Sequence, residues 1–515
     1  MNNLNFLVDV LKESPVFKTL EKNVKPGRTV CASGLSTINK SNIIYALCRL
    51  KGVTAFCLAS DEKEAQTLCN DLSCMGLRAY VYPVRDFNFL DFQSRSHEYE
   101  HARLKVLLKL INHECDVAIA CVDAAAQLTV PRNVLEQSVI EFEEGRELSL
   151  EKATKALTLL GYERFDAVEG SGQFSLRGGI LDFFMPDSDY PVRCEFWGDE
   201  ITDLSYFDIE TQRRFKKADK ITLSPSTEIV IEDRAALADK IEHKAKLLRS
   251  KNSAKAKEKL FSEAELIRSG AMIANADKFI NQIYDKPESL FDYLDRNTLV
   301  FASEFTAIQE RGKSMDFISN ETLMQGFEDG TLCRGFDRFA LTFNECTEFF
   351  QSHGTIVLEN FVHGSMPIKL SEIISFSTKQ LSAWGGSYKQ LKEDVDGLFT
   401  PESKGVIFAG TERAAKNLCD TFNADGINAV YSEGADKISK GELLVMQGAL
   451  SAGFEYPSQK FFAITYSQVS YRPEKSKKKK KKTGQEIYSL SELAPHTDTV
   501  IMLYTMFTVS VCSAV

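Results

Sequence analysis

The strongest constraint on the fold is a repeated alternation of short apolar runs with longer amphipathic runs. Near the start of the chain the apolar runs are RTVCAS at 28–33, VTAFCLAS at 53–60 and DVAIACVD at 116–123. The helical pattern between the first two stops at Gly52, and glycine commonly follows the last turn of a helix. Buried strands that alternate with helices form parallel sheets covered on both faces. The pattern therefore predicts an α/β lobe.

The periodicity changes twice further along the chain. Residues 171–215 are rich in strand-forming residues and turns, which is typical of an antiparallel meander. Residues 231–283 have a helical composition dense in Lys, Glu and Ala, and an α/β pattern returns over about 355–470. We predict a multi-domain α/β protein. It consists of a parallel-sheet lobe, a mainly antiparallel β (α+β) domain and a second α/β domain.

Composition narrows the class of protein. The chain has 515 residues, of which 43% are hydrophobic and 26% charged, and its net charge is -10. Such a chain can bury several cores, but it does not hold DNA through bulk positive charge. The run KSKKKKKKTG at 475–484 is predicted to be a solvated linker because like charges repel. An additional contact of this run with an acidic polymer such as nucleic acid stays open.

Cysteine usage and the N-terminal segment bear on the compartment. The twelve cysteines show no CxxC pair, which favours reduced thiols in a bacterial cytoplasm. The first fifteen residues lack the basic and apolar regions of a secretory signal. No run of apolar residues is long enough for a membrane span. We expect a cytoplasmic protein without a membrane partner.

GLSTINKS at 34–41 matches seven of the eight positions of a phosphate-binding P-loop. It follows a predicted strand and opens a predicted helix, so Lys40 is placed to reach a phosphate and Ser41 a magnesium ion. Gly34 fits the motif, but Asn39 replaces its second glycine and would crowd the approach of a phosphate. Asp123 is the best candidate for the acidic partner that an ATPase needs, although Ala124 follows it. A working ATP site and a degenerate one both remain open on these residues.

HEYEH at 97–101 matches the zinc-hydrolase pattern H-E-x-x-H. A helix would place His97 and His101 on one face, with Glu98 as base. The extended pattern with a third histidine is absent, and the surrounding segment has the periodicity of an ordinary amphipathic helix. We therefore favour a solvated helical face and expect no metal site.

The predicted strand VRCEFW at 192–197 has two different faces. Alternation places Val192, Cys194 and Phe196 towards a core, and Arg193 and Trp197 on the other face. Hairpin pairing would bring Arg177 of the preceding SLRGGILDF close to them. Trp and Arg are enriched at the energetic centres of interfaces. A partner-binding surface and a stacked Arg–Trp pair that only shields the sheet are both compatible with this pattern.

Several motifs together resemble a known family. SLRGGILDFFMP, PVRCEFWGDEITDLSYFDIETQRR and ITLSPSTEIV follow the order found in the module shared by the excision-repair protein UvrB and the transcription-repair coupling factors. The segment 82–110 is similar to the coupling factors in particular, since it lacks the tyrosine-rich hairpin of UvrB. LSAGFEYP at 450–457 is similar to an element of their third domain. The resemblance covers the chain to about residue 495.

The resemblance implies a function and its residues. Coupling factors bind RNA polymerase stalled at DNA damage, displace it with an ATP- and magnesium-dependent DNA translocase, and recruit UvrA through the UvrB-like module. Two arginines and an aromatic face UvrA in that family, and they fall on Arg177, Arg193 and Trp197. Phenylalanine is common at the last position, so Trp197 is a departure. Arg213 and Arg214 are secondary candidates.

The resemblance also implies what this chain does by itself. We expect a docking module with no catalytic residues and no cofactor, in which Gly34, Asn39, Lys40 and Ser41 form a degenerate nucleotide loop. The motor is expected beyond residue 515, so contact with DNA is expected to be indirect. The independent P-loop ATPase that uses Lys40 and Ser41 is the alternative.

The resemblance divides the chain into six segments. The tail after LSELAP departs from the family, which indicates a truncated or frameshifted start of the polymerase-interacting domain, with a divergent strand pair as the alternative. The predicted segments are a UvrB-like degenerate nucleotide-binding lobe at 1–125, an inserted UvrA-binding domain at 126–215, a continuation of the first domain with a helical segment at 216–350, an α/β domain at 351–472, a basic linker at 473–488, and the broken RNA polymerase-interacting domain at 489–515.

Overall fold

A computed structural model describes residues 4–85, 97–138, 140–249, 253–270, 276–362, 366, 368–381, 388–466, 485–487, 499–502 and 509–512. The chain divides into one compact unit over 1–468 and a second over 469–515. The basic run at 475–482 and LSELAP at 490–495 lie outside the described residues.

The first part of the chain alternates strands and helices as predicted. Its helices are α1 (Asn5–Lys12), α2 (Pro15–Asn23), α3 (Thr37–Lys51), α4 (Glu62–Cys74), α5 (Glu98–Ile111), α6 (Val122–Ala126) and α7 (Arg132–Gln137). Its strands are β1 (Val30–Ser33), β2 (Ala55–Ala59), β3 (Ala79–Tyr82) and β4 (Val117–Cys121).

The next part is rich in strands. It contains β5 (Ile140–Glu143), α8 (Leu150–Leu159), β6 (Glu163–Arg164), β7 (Gln173–Arg177), β8 (Ile180–Phe183), β9 (Val192–Trp197), β10 (Glu200–Phe207), β11 (Arg214–Lys217) and β12 (Lys220–Leu223). The antiparallel meander expected over 171–215 is present as β7 to β11.

A helical part returns the chain to the first sheet. It contains α9 (Arg234–Leu247), α10 (Ser253–Ser269), α11 (Ile280–Ile283), β13 (Leu299–Ser303), α12 (Phe305–Asp329), α13 (Phe343–His353) and β14 (Thr355–Glu359). Short 3₁₀ helices lie at Ala276–Phe279 and Leu290–Tyr293.

The last part of the first unit carries the second α/β pattern. It contains β15 (Glu372–Ser375), β16 (Lys379–Leu381), α14 (Tyr388–Leu398), β17 (Lys404–Phe408), α15 (Glu412–Ala424), β18 (Ala429–Ser432), β19 (Glu442–Met446), β20 (Gly453–Tyr456), a 3₁₀ helix at Pro457–Gln459, and β21 (Phe461–Thr465).

The second unit contains a three-stranded sheet. Its strands are β22 (Gln485–Ile487), β23 (Thr499–Met502) and β24 (Val509–Cys512), and β24 pairs antiparallel with both of the others. Within the tail, Thr499–Met502 and Val509–Cys512 therefore pair as antiparallel strands.

A seven-stranded sheet organises the first unit, with the strand order β15-β1-β14-β13-β2-β4-β3 and only parallel pairings. The chain leaves this sheet after β4 and re-enters it at β13, so the β-rich part is an insertion. β14 and β15 lie in this sheet although the sequence pattern placed them in the 351–472 segment. Sequence alternation identifies strands, but the choice of sheet depends on contacts made elsewhere in the chain.

The other sheets follow the predicted classes. A six-stranded sheet with the order β11-β10-β9-β8-β7-β6 is antiparallel except for β6–β7, and β12 pairs with β5 beside it. The strands β16 to β21 form a mixed sheet with the order β16-β20-β21-β17-β19-β18, in which β17, β18, β19 and β21 pair in parallel. The predicted multi-domain α/β class, with an inserted antiparallel domain, is confirmed.

Local chemistry explains where these helices begin and end. The Asp61 side chain accepts a hydrogen bond from the backbone N–H of Glu64 at 2.7 Å and so caps α4. Gly52 ends α3 in the left-handed conformation, with φ +62°.

Among the described residues no helix is both long and apolar enough to cross a membrane.

Candidate functional site

The six-stranded sheet has one buried face and one open face, as β9 shows. Val192, Cys194 and Phe196 point into a core that α8 also contributes to, and they are buried. Arg193 is half-buried on the opposite face, and Trp197 at the end of the strand is 82% exposed. The predicted alternation of this strand is confirmed.

A glycine pair sets the register that brings the arginines together. Gly178 adopts φ +60° in the two-residue turn between β7 and β8, and a side chain on Gly179 would lie 2.8 Å from the carbonyl oxygen of Phe196. Both positions therefore favour glycine. The turn pairs Arg177 with Ile180, and the next strand pairs Asp182 with Arg193.

Asp182 joins the two arginines. It is only 1% exposed, and it accepts hydrogen bonds from Arg177 Nη2 at 2.9 Å, Arg193 Nε at 2.7 Å and Arg193 Nη2 at 2.8 Å. The sequence analysis did not single out this residue. The sequence does contain a sign of its role, since Asp182 lies inside the apolar strand ILDFF. A carboxylate that is buried in such a strand needs a charged or hydrogen-bonding partner.

Apart from its bonds to Asp182, Arg193 makes further contacts with two other residues of its own chain. Its Nη1 donates to the Gln212 carbonyl oxygen at 3.2 Å, its Nη2 donates to the Gln212 side chain at 3.1 Å, and its guanidinium carbon lies 4.4 Å from the centre of the Phe207 ring. Only 13% of its side chain is exposed. Arg193 therefore stacks on Phe207, and the Arg–Trp stack considered from the sequence is not the arrangement found.

Arg177 and Trp197 are the accessible members of the face. Half of the Arg177 side chain, 52%, is exposed. Trp197 precedes the turn formed by Gly198 and Asp199 and pairs across it with Glu200. Among the described residues Trp197 is the most exposed large hydrophobic side chain, and tryptophan is enriched at the energetic centres of interfaces.

The two secondary candidates differ in their surroundings. Arg214 makes ion pairs with Glu195 and with Asp203, the latter at 2.8 Å. Arg213 is exposed at the start of the same strand. Arg214 is thus partly neutralised within the sheet, whereas the guanidinium of Arg213 faces solvent.

The P-loop-like segment has the predicted strand–loop–helix setting, but the first two backbone N–H groups of its loop are already bonded. The N–H of Gly34 donates to the Asn360 carbonyl at 3.2 Å, and the N–H of Leu35 donates to the Glu359 carbonyl at 3.1 Å. In a phosphate site such N–H groups point at the ligand. The carbonyl of Phe376 also closes on this loop, since a side chain on Gly34 would lie 2.2 Å from its oxygen.

Lys40 lies in a buried ion cluster. Its Nζ contacts Glu304 at 2.6 Å, Ser303 Oγ at 2.9 Å and Glu64 at 3.4 Å, and 2% of its side chain is exposed. Burial and the neighbouring Glu304 carboxylate raise the pKa of Glu359 to about 7. The carboxylates here take the place that phosphate oxygens occupy in a P-loop.

The remaining loop residues serve contacts within the chain. The Ser41 hydroxyl donates to Asp71 at 3.3 Å, and Asp71 in turn accepts two hydrogen bonds at 2.7 Å from Ser451 of the LSAGFEYP element. Asn39 is fully buried and accepts a hydrogen bond from the Ser36 hydroxyl at 2.7 Å. These side chains therefore connect α3 to α4 and to the last α/β region.

Asp123, the candidate acidic partner, is paired with an arginine. Arg311 donates to it from Nε at 2.9 Å and Nη2 at 2.7 Å, and it also contacts Glu62. Cys121 completes a group whose ligand atoms are close enough for a metal ion. Burial raises the pKa of the Cys121 thiol to about 12, and the Arg311 guanidinium already supplies the positive charge.

The HEYEH histidines stack on each other at the start of α5. Their ring centres are 5.9 Å apart, and His97 Nδ1 lies 3.0 Å from Glu100. They line a cavity of about 420 Å³ together with Glu163 and Gly172 of the inserted domain. Burial lowers the pKa of His101. The segment is helical as expected, and His101 packs against the inserted domain.

The fold defines a class: a multi-domain α/β protein whose parallel-sheet lobe carries an inserted, mainly antiparallel β domain with one open face. Residues 140–229 match the family model described as the UvrB interaction domain. The curated relatives are transcription-repair-coupling factors. The one from Bacillus subtilis (strain 168) is 26% identical over 499 residues, which cover 94% of this chain and 42% of the relative.

Other relatives agree with this match. A transcription-repair-coupling factor of Staphylococcus epidermidis (strain RP62A) is 25% identical over 437 residues, covering 80% of this chain and 36% of the relative. One from Staphylococcus aureus (strain MRSA252) is 22% identical over 504 residues, covering 95% and 42%. The resemblance to the N-terminal half of these factors is confirmed, and the chain spans about two fifths of their length.

Proposed function

We propose that this chain is the docking half of a transcription-repair coupling factor, which recruits UvrA to RNA polymerase stalled at DNA lesions in nucleotide excision repair. The observation that carries the proposal is an 82% exposed Trp197 on the open face of a domain that matches the UvrB interaction domain. Contacts with RNA polymerase and DNA belong in this proposal to the larger protein.

The chemistry of the open face suits a protein partner. An exposed guanidinium such as that of Arg177 pairs with a carboxylate through charge-assisted hydrogen bonds. An indole such as that of Trp197 fills an apolar pocket and is among the side chains whose truncation costs most at interfaces, about 2 kcal/mol or more. Together they form a small site with one charged and one apolar anchor.

A binding titration with purified UvrA tests the proposal. Trp197→Ala and Arg177→Ala are each expected to weaken binding roughly 30-fold or more, because each removes an anchor worth about 2 kcal/mol. Phe317→Ala and Arg146→Ala are matched controls, since Phe317 is a 66% exposed aromatic on α12 and Arg146 is a 47% exposed arginine. Both controls should bind as the parent does.

Thermal unfolding separates binding from folding. Because Trp197 packs against little of its own chain, Trp197→Ala should unfold at the parent temperature. Undiminished UvrA binding by both face variants would refute the proposed docking surface.

The alternative function is an independent ATPase that uses Lys40 and Ser41. Against it stand the bonded N–H groups of Gly34 and Leu35 and the ion pairs of Lys40. We propose that this chain binds no nucleotide and acts without catalysis. Equilibrium ATP titration with magnesium tests this. If the chain binds ATP tightly and Lys40→Ala abolishes that binding, the proposal is overturned.

A separate measurement of the metal content of the purified protein tests the expected absence of zinc at His97 and His101.

A further inference from the structure

The cluster of Arg177, Asp182 and Arg193 on the open face contains two guanidinium groups but only one net positive charge. Asp182 lies between Arg177 and Arg193 and bonds to both. The Asp182 carboxylate accepts charge-assisted hydrogen bonds from both arginines, and its negative charge offsets that of one guanidinium. A partner with two carboxylates aimed at this pair would therefore meet less positive charge than the sequence indicates.

The two guanidinium groups differ in exposure and in the number of hydrogen bonds that they already make to their own chain. Arg193 has four hydrogen bonds to its own chain, a ring beneath it and 13% exposure. Arg177 makes one hydrogen bond to Asp182 from Nη2 and is 52% exposed. Direct contact with a partner is thus a role for Arg177, because reaching Arg193 would require breaking bonds that are already formed.

We propose that Arg193 is a positioning residue that acts on the docked partner through Asp182. Arg193 neutralises and fixes the buried carboxylate, and Arg177 thereby keeps its own charge for the partner. The inference rests on the proposed docking function. It assigns the partner one carboxylate, which meets Arg177, and one apolar pocket, which takes the Trp197 indole.

This assignment predicts that a second substitution, at Asp182, restores the UvrA binding that a substitution of Arg193 weakens. Arg193→Met removes the positive charge at similar volume and leaves Asp182 with Arg177 as its only cation. The carboxylate then draws Arg177 inward, and binding of UvrA should weaken about tenfold, the size expected for loss of one charged hydrogen bond. The double variant Asp182→Asn/Arg193→Met removes both buried charges, and the amide oxygen that Asp182→Asn introduces can still accept a hydrogen bond from Arg177.

The experiment compares UvrA affinity of these variants with that of the intact chain. The double variant should bind within about threefold of the parent, because the net charge of the Arg177–Asp182–Arg193 cluster returns to one and the buried pair is replaced by neutral groups. Asp182→Asn should not rescue Arg177→Ala, which has lost the contact itself. Thermal unfolding of each variant verifies that the sheet is intact, and the double variant is expected to fold even if Arg193→Met is unstable.

Three other outcomes contradict the assignment in distinguishable ways. If the double variant stays as weak as Arg193→Met, Arg193 touches the partner and the positioning role is wrong, while the docking surface stands. If Arg193→Met alone binds as the parent does, Asp182 does not control Arg177. If Arg177→Ala and Trp197→Ala also bind normally, the docking function itself fails.

Discussion

Lys40→Met is the most incisive perturbation of the P-loop-like segment. The parent lysine is 2% exposed and meets Glu304 at 2.6 Å and Glu64 at 3.4 Å. Removing one partner of a buried ion pair typically costs about 3–5 kcal/mol. Glu304 is 27% exposed and regains some hydration, so the lower end, about 3 kcal/mol, is expected here.

Hydrogen exchange measures this effect locally. A loss of about 3 kcal/mol corresponds to roughly a hundredfold faster exchange, if the amides of β1 and α3 exchange by opening of this lobe. Peptides that cover residues 30–45 should therefore lose protection in Lys40→Met. Lys416→Met is the control, because its exposed pair with Glu412 on α15 contributes about 0.5 kcal/mol or less.

The pH dependence of the stability difference between the parent and Lys40→Met is a second test of the buried ion pair. Burial would raise the pKa of Glu304, but the charge and hydrogen bond of Lys40 outweigh it and lower that pKa. A lowered pKa adds stability above the ordinary value near 4.5 and loses it as the pH falls through the folded-state pKa. The difference between parent and variant should therefore be full at pH 7.5 and shrink below about pH 4.5.

Specific results would refute this reasoning. The double variant Lys40→Met/Glu304→Gln should recover part of the lost protection, since it removes the unpaired carboxylate. Unchanged exchange in Lys40→Met, together with magnesium-dependent ATP binding by the parent, would show that Lys40 serves a nucleotide and not the buried cluster.

Two further predictions concern a titrating group and a turn. The pKa of Glu359 is raised to about 7, so the folded parent holds a proton that the unfolded chain releases near pH 4.5, and its stability should fall as the pH rises between these values. Glu359→Gln should reduce that fall, measured as the thermal midpoint at pH 5 and pH 8; an equal fall in both proteins would contradict it. Gly179→Ala brings a methyl group to 2.8 Å from the Phe196 carbonyl and should cost about 1–3 kcal/mol in denaturant unfolding and weaken UvrA binding. Gly397→Ala in α14, where nothing lies within 4 Å, should instead be neutral or stabilising by up to about 1 kcal/mol. Equal effects of the two alanines would show that the turn is not constrained.

The local elements were predictable because their causes are local. The strand predicted over 116–123 contains β4 at Val117–Cys121, although its last two residues begin α6, and the helical pattern that stops at Gly52 is α3. The alternation of β9 correctly placed Trp197 outside and Cys194 inside, since side chains in a strand point to opposite faces.

The ion-pair partners of each charged side chain were not predictable from the sequence in this way. Lys40 and Arg193 have the residue types of a phosphate site and of an interface, yet both bond to carboxylates brought from other elements of the fold. Asp182 bonds to Arg193 only after β8 and β9 pair. The sequence shows that a charge exists, but its partners come from tertiary contacts.

By itself the sequence determined the α/β class, the antiparallel β domain and the open face of β9, because periodicity and turn chemistry act over a few residues. Only the tertiary structure decided that β14 and β15 join the first sheet, that the N–H groups of Gly34 and Leu35 bond to carbonyls of the chain itself, and that Asp182 bonds to both Arg177 and Arg193. The physical reason is range: hydrophobic patterning is local, whereas a buried charge is satisfied by whichever opposite charge the fold places within about 3 Å.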